Sequence, residues 1–258
     1  MKVRIVASTC GASSKLQYAS SYIVDDCLAI DAGCLGMRGT PHQQAEIRHV
    51  FLTHSHIDHI ATLPIFVENA FEPGRQPVAI YGAPEALESI QRHIFNDEIW
   101  PNFVRLSING HPLVKLVPLS EGSPVRIGAL SITPVAVHHV VPTYGYIITD
   151  GTSTVAFGAD SGPTDRIWKL ARNSPGPLLV FLEASFPDEM HSLATISGHL
   201  TPALFAEEVR KMPEAKTLVA MHIKARFHDK VVEQLMALSL PGLVIGEAER
   251  VYQCGGSD

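Results

Sequence analysis

Three histidines and an aspartate fall within six consecutive positions, His54-Ser55-His56-Ile57-Asp58-His59. The run directly follows the apolar stretch Phe51-Leu52-Thr53, which reads as the end of a strand. In extended chain alternate residues point the same way, so His54 and His56 can converge on one cation. The chain then turns into a helix, which presents Asp58 and His59 to a second cation nearby. Imidazole and carboxylate ligands together suit Zn²⁺, and also Mn²⁺ or Fe. An exposed polar loop is the competing account, and so dense a set of ligand types argues against it. Two cations sharing a water lower its pKa toward neutrality, which is the chemistry of a hydrolase.

Two cations need more ligands than one loop supplies. His138 and His139 close the expected strand 130–137, and Asp160 follows the expected strand 154–158 in the turn Ala159-Asp160-Ser161-Gly162. A carboxylate at Asp160 can bridge two metals. His222 ends the expected strand 217–221 and can complete the second site. An isolated His or Asp is ordinarily a satisfied core or surface residue. Here every candidate sits at a strand end, where loops gather into one site.

The elements that must position these groups are short. Runs rich in Val, Ile and Tyr predict strands at 3–7, 21–24, 28–31, 50–53, 78–81, 114–117, 130–137, 145–149 and 154–158, with later ones at 178–182 and 217–221. Helical patterns fall at 59–70, 84–95, 164–171, 202–211 and 229–238, with Pro84 and Pro202 suited to first-turn positions. Paired strands with interspersed helices predict an α/β (α+β) fold, two sheets face to face with helices outside. No repeat or linker divides the chain, so residues 1–258 read as a single domain.

Composition narrows the function classes. The chain is 46% hydrophobic and 18% charged, with no apolar run long enough to span a bilayer, so a soluble protein with no membrane partner is expected. The first residues lack a signal-peptide pattern. Cys10, Cys27, Cys34 and Cys254 form no CxxC pair, which suits a reducing cytoplasm and small buried side chains. A net charge of −6 with no basic stretch argues against extended nucleic acid, whereas a small anionic substrate is compatible with a metal site. If the chain oligomerises, a homodimer is the default expectation.

The ordered series His54/His56/Asp58/His59, a later histidine, Asp160 and His222 resembles the metallo-β-lactamase superfamily, over most of the chain. That resemblance implies a four-layer αββα sandwich with two divalent ions at one edge. It makes Asp31, in Asp31-Ala32-Gly33, a support beneath the metals. The spacing to Tyr144-Gly145-Tyr146 is similar to the nucleic-acid-processing branch and selects His139 as the ligand, leaving His138 structural. The segments Leu182-Glu183-Ala184-Ser185-Phe186-Pro187, Ser197-Gly198-His199-Leu200-Thr201-Pro202 and His222-Ile223-Lys224 resemble the class II cyclic-nucleotide phosphodiesterases. Ile57, Thr62 and Ala225 depart from that family's usual residues, which marks a diverged relative.

The resemblance implies hydrolysis of 3′,5′-cyclic nucleotides, cAMP or cGMP, to 5′-monophosphates. Asp58, His199 and Lys224 are then the catalytic candidates. An imidazole at His199 can protonate a leaving oxygen, the plainer role being a helix cap or backbone bond. Lys224 can set an ammonium beside a phosphate oxygen, or be a solvated lysine. A tRNA 3′-end processing nuclease shares the ligands but usually carries a flexible arm, and no Gly/Lys-rich insertion is present. A glyoxalase II-type thioesterase would not explain residues 197–202, and a non-catalytic scaffold would not need the full ligand set. Trp100-Pro101-Asn102-Phe103 fills the core or walls a substrate site. Ser21 and Tyr22 resemble a superfamily loop near the metals. His42, His49, His93, His111, His191 and His228 match no motif and are expected on surfaces or in turns.

Overall fold

The computed structural model describes residues 1–9 and 15–254, so Cys10 lies outside the described residues. One seven-stranded sheet runs in the order Val251–Gln253, Lys2–Ile5, Tyr22–Val24, Leu28–Ile30, His49–Phe51, Val78–Gly82, Val114–Pro118. The other runs Leu243–Ile245, Thr217–Met221, Leu178–Glu183, Thr154–Phe157, Thr143–Thr149, Leu130–Val137, Val125–Ile127. Each sheet is antiparallel in one half and parallel in the other. Parallel neighbours need long crossovers, and these carry the helices that cover the outer faces.

Strand alternation sorts the side chains into layers. Tyr22 and Phe51 face inward with Tyr146, Phe157 and Phe181 of the other sheet, while Ile23, Val50 and Leu52 face outward under helices. A third cluster packs Trp168, Leu200, Phe205 and Val231 on the outer face of the second sheet. The layers are helix, sheet, sheet and helix, which is the expected αββα sandwich. Aromatic stacking ties its centre together: the rings of Phe157 and Phe181 lie 4.8 Å apart at 11°, with Tyr22 tilted onto both.

Some elements differ from the sequence reading. The expected helix 59–70 is two, Ile57–Ile60 and Leu63–Ala70. Thr62 sits at the break, its hydroxyl donating to the Ala32 carbonyl and accepting from the Gly36 amide. Pro64 adds a position that cannot donate to a continuous ladder. The helix His191–Ser197 gave no periodic signal because Leu193 and Ile196 are exposed and Ala194 is its buried residue. The edge strands Val125–Ile127, Leu243–Ile245 and Val251–Gln253 are too short for an alternating pattern.

Phe103 is buried and packs with Phe95 and Trp100, so this segment fills the core beneath the first sheet's helices. His49 is not a surface or turn residue: it lies half-buried in a strand, 3.1 Å from the Tyr81 hydroxyl. Cys34 and Cys254 are buried, Cys27 is partly so, and all three are free. Among the described residues no helix is long and apolar enough to cross a membrane.

Candidate metal centre

His54, His139, Asp160 and His222 each follow the end of a strand, and these ends meet at one edge of the sandwich. Ligand atoms of His54, His56 and His139 lie within 4.8 Å of one another, as do those of Asp58, His59 and His222. Asp160 joins the two groups. Its Oδ2 is 2.9 Å from His222 Nε2, 3.3 Å from His59 Nε2 and 3.8 Å from His54 Nε2. One carboxylate therefore faces both sets, the placement a bridging ligand requires.

The outer ring nitrogens are already engaged. Nδ1 of His54 meets Thr53 Oγ1 at 3.0 Å, Nδ1 of His59 meets Asp31 Oδ2 at 2.7 Å, and Nδ1 of His139 meets the Gly198 carbonyl at 2.9 Å. His222 Nδ1 lies 3.1 Å from Ser20 Oγ. With Nδ1–H donated outward, each Nε2 presents a lone pair to the centre, the arrangement metal-ligating histidines adopt. His56 instead turns Nδ1 inward, 3.3 Å from His139 Nε2. Among the described residues, buried His54 Nε2, His59 Nε2 and Asp160 Oδ1 have no hydrogen-bond partner. Buried polar atoms left this way call for a ligand. The donor set and its orphaned atoms fit a pair of divalent cations.

Electrostatics agree with that fit. Burial, helped by the neighbouring His59, holds His54 far below the usual imidazole range, so its ring is neutral, as a metal-binding imidazole must be. Burial alone would also lower His59, but the carboxylates of Asp160 and Asp31 overcome it and raise its pKa. Those carboxylates thus attract to this ring a positive charge, which a cation would supply in place of the Nε2 proton. Asp160 is pulled down, against its own burial, by His222 and His59, and remains ionised. For Asp58, burial is likewise outweighed by His59, His222 and Lys224.

Three left-handed residues stand at the centre. Asp31, Ala159 and His222 have φ of 59°, 55° and 54°, a left-handed conformation that non-glycine residues adopt only where surroundings enforce it. Asp31 shows the enforcement: its carboxylate accepts from the Thr53 amide at 2.7 Å and the Thr53 hydroxyl at 2.8 Å, besides His59. Two residues on, a Cβ at Gly33 would come 1.9 Å from the Asp58 carbonyl oxygen, so the backbones pass too closely for any side chain.

His199 is buried beside the cluster, its ring 5.0 Å from that of His139 and stacked 5.8 Å from that of His222. Its ligand atom also groups with those of His139 and Asp160. Nδ1 bonds Glu183 Oε1 at 2.7 Å. Burial would lower the His199 pKa, yet the Glu183 carboxylate raises it, so the ring keeps a proton to give. Lys224 Nζ lies 3.3 Å from Asp58 Oδ2. His138 points away and packs against the Gly162 turn, where a Cβ would lie 2.9 Å from its Nδ1.

Sequence reasoning missed Glu183, Ser20 and Thr53. Glu183 ends a strand of six buried residues and is itself fully buried, receiving the amides of Ser161 at 2.9 Å and Leu200 at 3.2 Å. A carboxylate closing an otherwise apolar strand was the available signal, since a buried charge needs partners. Of the flanking loop, Ser20 touches the candidate ligand His222, whereas Ser21 braces the Cys34 amide and Tyr22 enters the core. A crevice of about 130 Å³ adjoins the centre, lined by Tyr18, Asp58, His222 and Lys224 over a floor of Ile5 and Met221.

A family model described as a beta-lactamase superfamily domain matches residues 30–223. The chain is 24% identical over 228 residues to the chloroplastic tRNase Z TRZ2 of Arabidopsis thaliana, covering 75% of this chain and 62% of that protein. It is 24% identical over 207 residues to a probable 3′,5′-cyclic-nucleotide phosphodiesterase of Yersinia pestis, covering 70% and 58% respectively. It thus spans about six-tenths of the length of these relatives. The solved metallo-beta-lactamase fold protein YhfI from Bacillus subtilis matches with a TM-score of 0.75 at 21% identity, over 97% of this chain and 98% of that one.

Proposed function

The chain belongs to the beta-lactamase superfamily, and on that premise we propose that it is a binuclear metal-dependent phosphodiesterase acting on 3′,5′-cyclic nucleotides. The observation that carries the reading is His199, buried against the metal donors with its Nδ1 bonded to Glu183, which leaves Nε2 to carry the proton that is given. A phosphodiester releases a poor alkoxide leaving group, and a protonated imidazole at that position answers the need for an acid.

His54, His56 and His139 would hold one ion, Asp58, His59 and His222 the other, and Asp160 would bridge them. Zinc suits the donor set, with manganese or iron also compatible. When bound, such ions supply an acidified water and positive charge for the phosphoryl oxygens. Asp31 and Thr53 fix the His59 and His54 rings, and Ser20 fixes His222. His199 delivers its proton to the departing ribose oxygen, and Glu183 stabilises the imidazolium beforehand. Lys224, at the crevice rim, meets a phosphate oxygen.

The second reading is a tRNA 3′-end processing nuclease, favoured by the similarity to a protein named as a tRNase Z. A net charge of −6 gives an RNA body little to bind, which supports the small anionic substrate instead. The test is turnover of cAMP, cGMP, bis-p-nitrophenyl phosphate and a precursor tRNA by zinc- or manganese-loaded protein. Cyclic-nucleotide hydrolysis supports the proposal. Cleavage of the precursor tRNA alone would replace it with the nuclease.

A further inference from the structure

The two clusters differ in what touches them. Donor atoms of His54, His56 and His139 meet one another, Asp160 and, among the described residues, no lysine or arginine. In the other cluster, the Lys224 ammonium lies 3.0 Å from His222 Nε2 and 3.3 Å from Asp58 Oδ2. Those are atoms that the second ion would need. His222 Nε2 also lies 2.9 Å from Asp160 Oδ2, so the same nitrogen is approached by a carboxylate and an ammonium where a cation would sit.

We propose that Lys224 is a built-in competitor for the second metal position. Its ammonium engages Asp58 and His222 until a divalent ion displaces it, and it then swings into the adjoining crevice to meet the substrate's phosphate. Geometry permits the swing: the side chain is 35% exposed, on a backbone anchored by its amide to the Ser185 carbonyl, and Lys224 itself lines the crevice. The ions therefore bind in order, the first at His54, His56 and His139, the second more weakly. A phosphate that attracts the displaced ammonium tightens the second ion, and by linkage that ion tightens the phosphate. This inference rests on the two-metal reading above.

Calorimetric titration of the metal-free protein with Zn²⁺ tests it, comparing the native chain with Lys224→Met and Lys224→Gln, each checked for native circular dichroism. The native chain should bind two ions of unequal affinity. Either variant should tighten the second by roughly tenfold, about 1.4 kcal/mol, and leave the first unchanged. In the native chain, acetylation of the Lys224 amine, followed by mass spectrometry, should accelerate with the second equivalent of metal and not the first. A second affinity that is unchanged or weaker in the variants, or a labelling rate indifferent to metal, overturns the competition while the two-metal reading stands. Fewer than two ions at saturation in every variant overturns both.

Discussion

Glu183 and His199, a fully buried carboxylate and the imidazole beside the metal donors, are joined by a 2.7 Å hydrogen bond from Nδ1 to Oε1. The pair connects His199 to the turn that carries Asp160, because the other bonds of Glu183 reach Leu200 and Ser161, the residue after Asp160.

Replacing Glu183 with Gln keeps the shape and removes the charge that stabilises the imidazolium. Turnover of diesters with an alkoxide leaving group should fall roughly 10²-fold or more, within the range of general acid catalysis. Turnover of bis-p-nitrophenyl phosphate, whose leaving group needs no proton, should fall far less. Steady-state rates on both substrates check this, and equal losses would remove His199 as the acid.

Ser20→Ala frees Nδ1 of His222, a candidate ligand already held at an unfavourable φ. Loss of such an outer partner typically weakens a metal site by about 10–100-fold. Chelator competition should show that weakening at one of the two ions, with Ser20→Thr largely restoring it.

Gly33→Ala drives a methyl group into the Asp58 carbonyl and the Ser20 amide, both backbone atoms that cannot turn aside. The expected cost is about 3 kcal/mol or more, a Tm loss of roughly 10 °C by differential scanning calorimetry. Metal content should fall as well, since Asp58 shifts with its carbonyl.

Asp150, far from the site, caps its turn by accepting from the Thr152 amide and hydroxyl and from the Ser153 amide and hydroxyl. Partial burial pushes its pKa up, but these bonds outweigh it and hold the carboxyl well below its usual range. A depressed folded pKa gives stability that is present above the unfolded value, near about 4, and lost as pH falls through the folded one. Asp150→Asn should therefore cost about 1 kcal/mol at pH 7, with the gap to the native chain closing as pH drops below about 4. Urea unfolding across that range measures it.

How far the sequence could be read follows from where the signals lie. Candidate ligands near strand ends were legible because apolar strands are easy to see, and His54, His139, Asp160 and His222 each lie within three residues of such an end. The strand Leu130–Val137 and the helix Pro202–Lys211 fall where expected, as long elements with clear periodicity. What escaped depends on tertiary contact: Ser20 reaches His222 across 202 positions, and nothing local to a serine announces that. Helix His191–Ser197 escaped because its apolar residues face out, and the split at Thr62 because a hydroxyl bonding to another loop decides it.

The most direct measurement pairs metal content with cyclic-nucleotide turnover in the native chain and in Asp160→Ala. The native chain should carry two ions and hydrolyse cAMP or cGMP, and the variant should lose turnover together with at least one ion. An Asp160→Ala protein that keeps two ions and full activity would rule out a bridging role for Asp160.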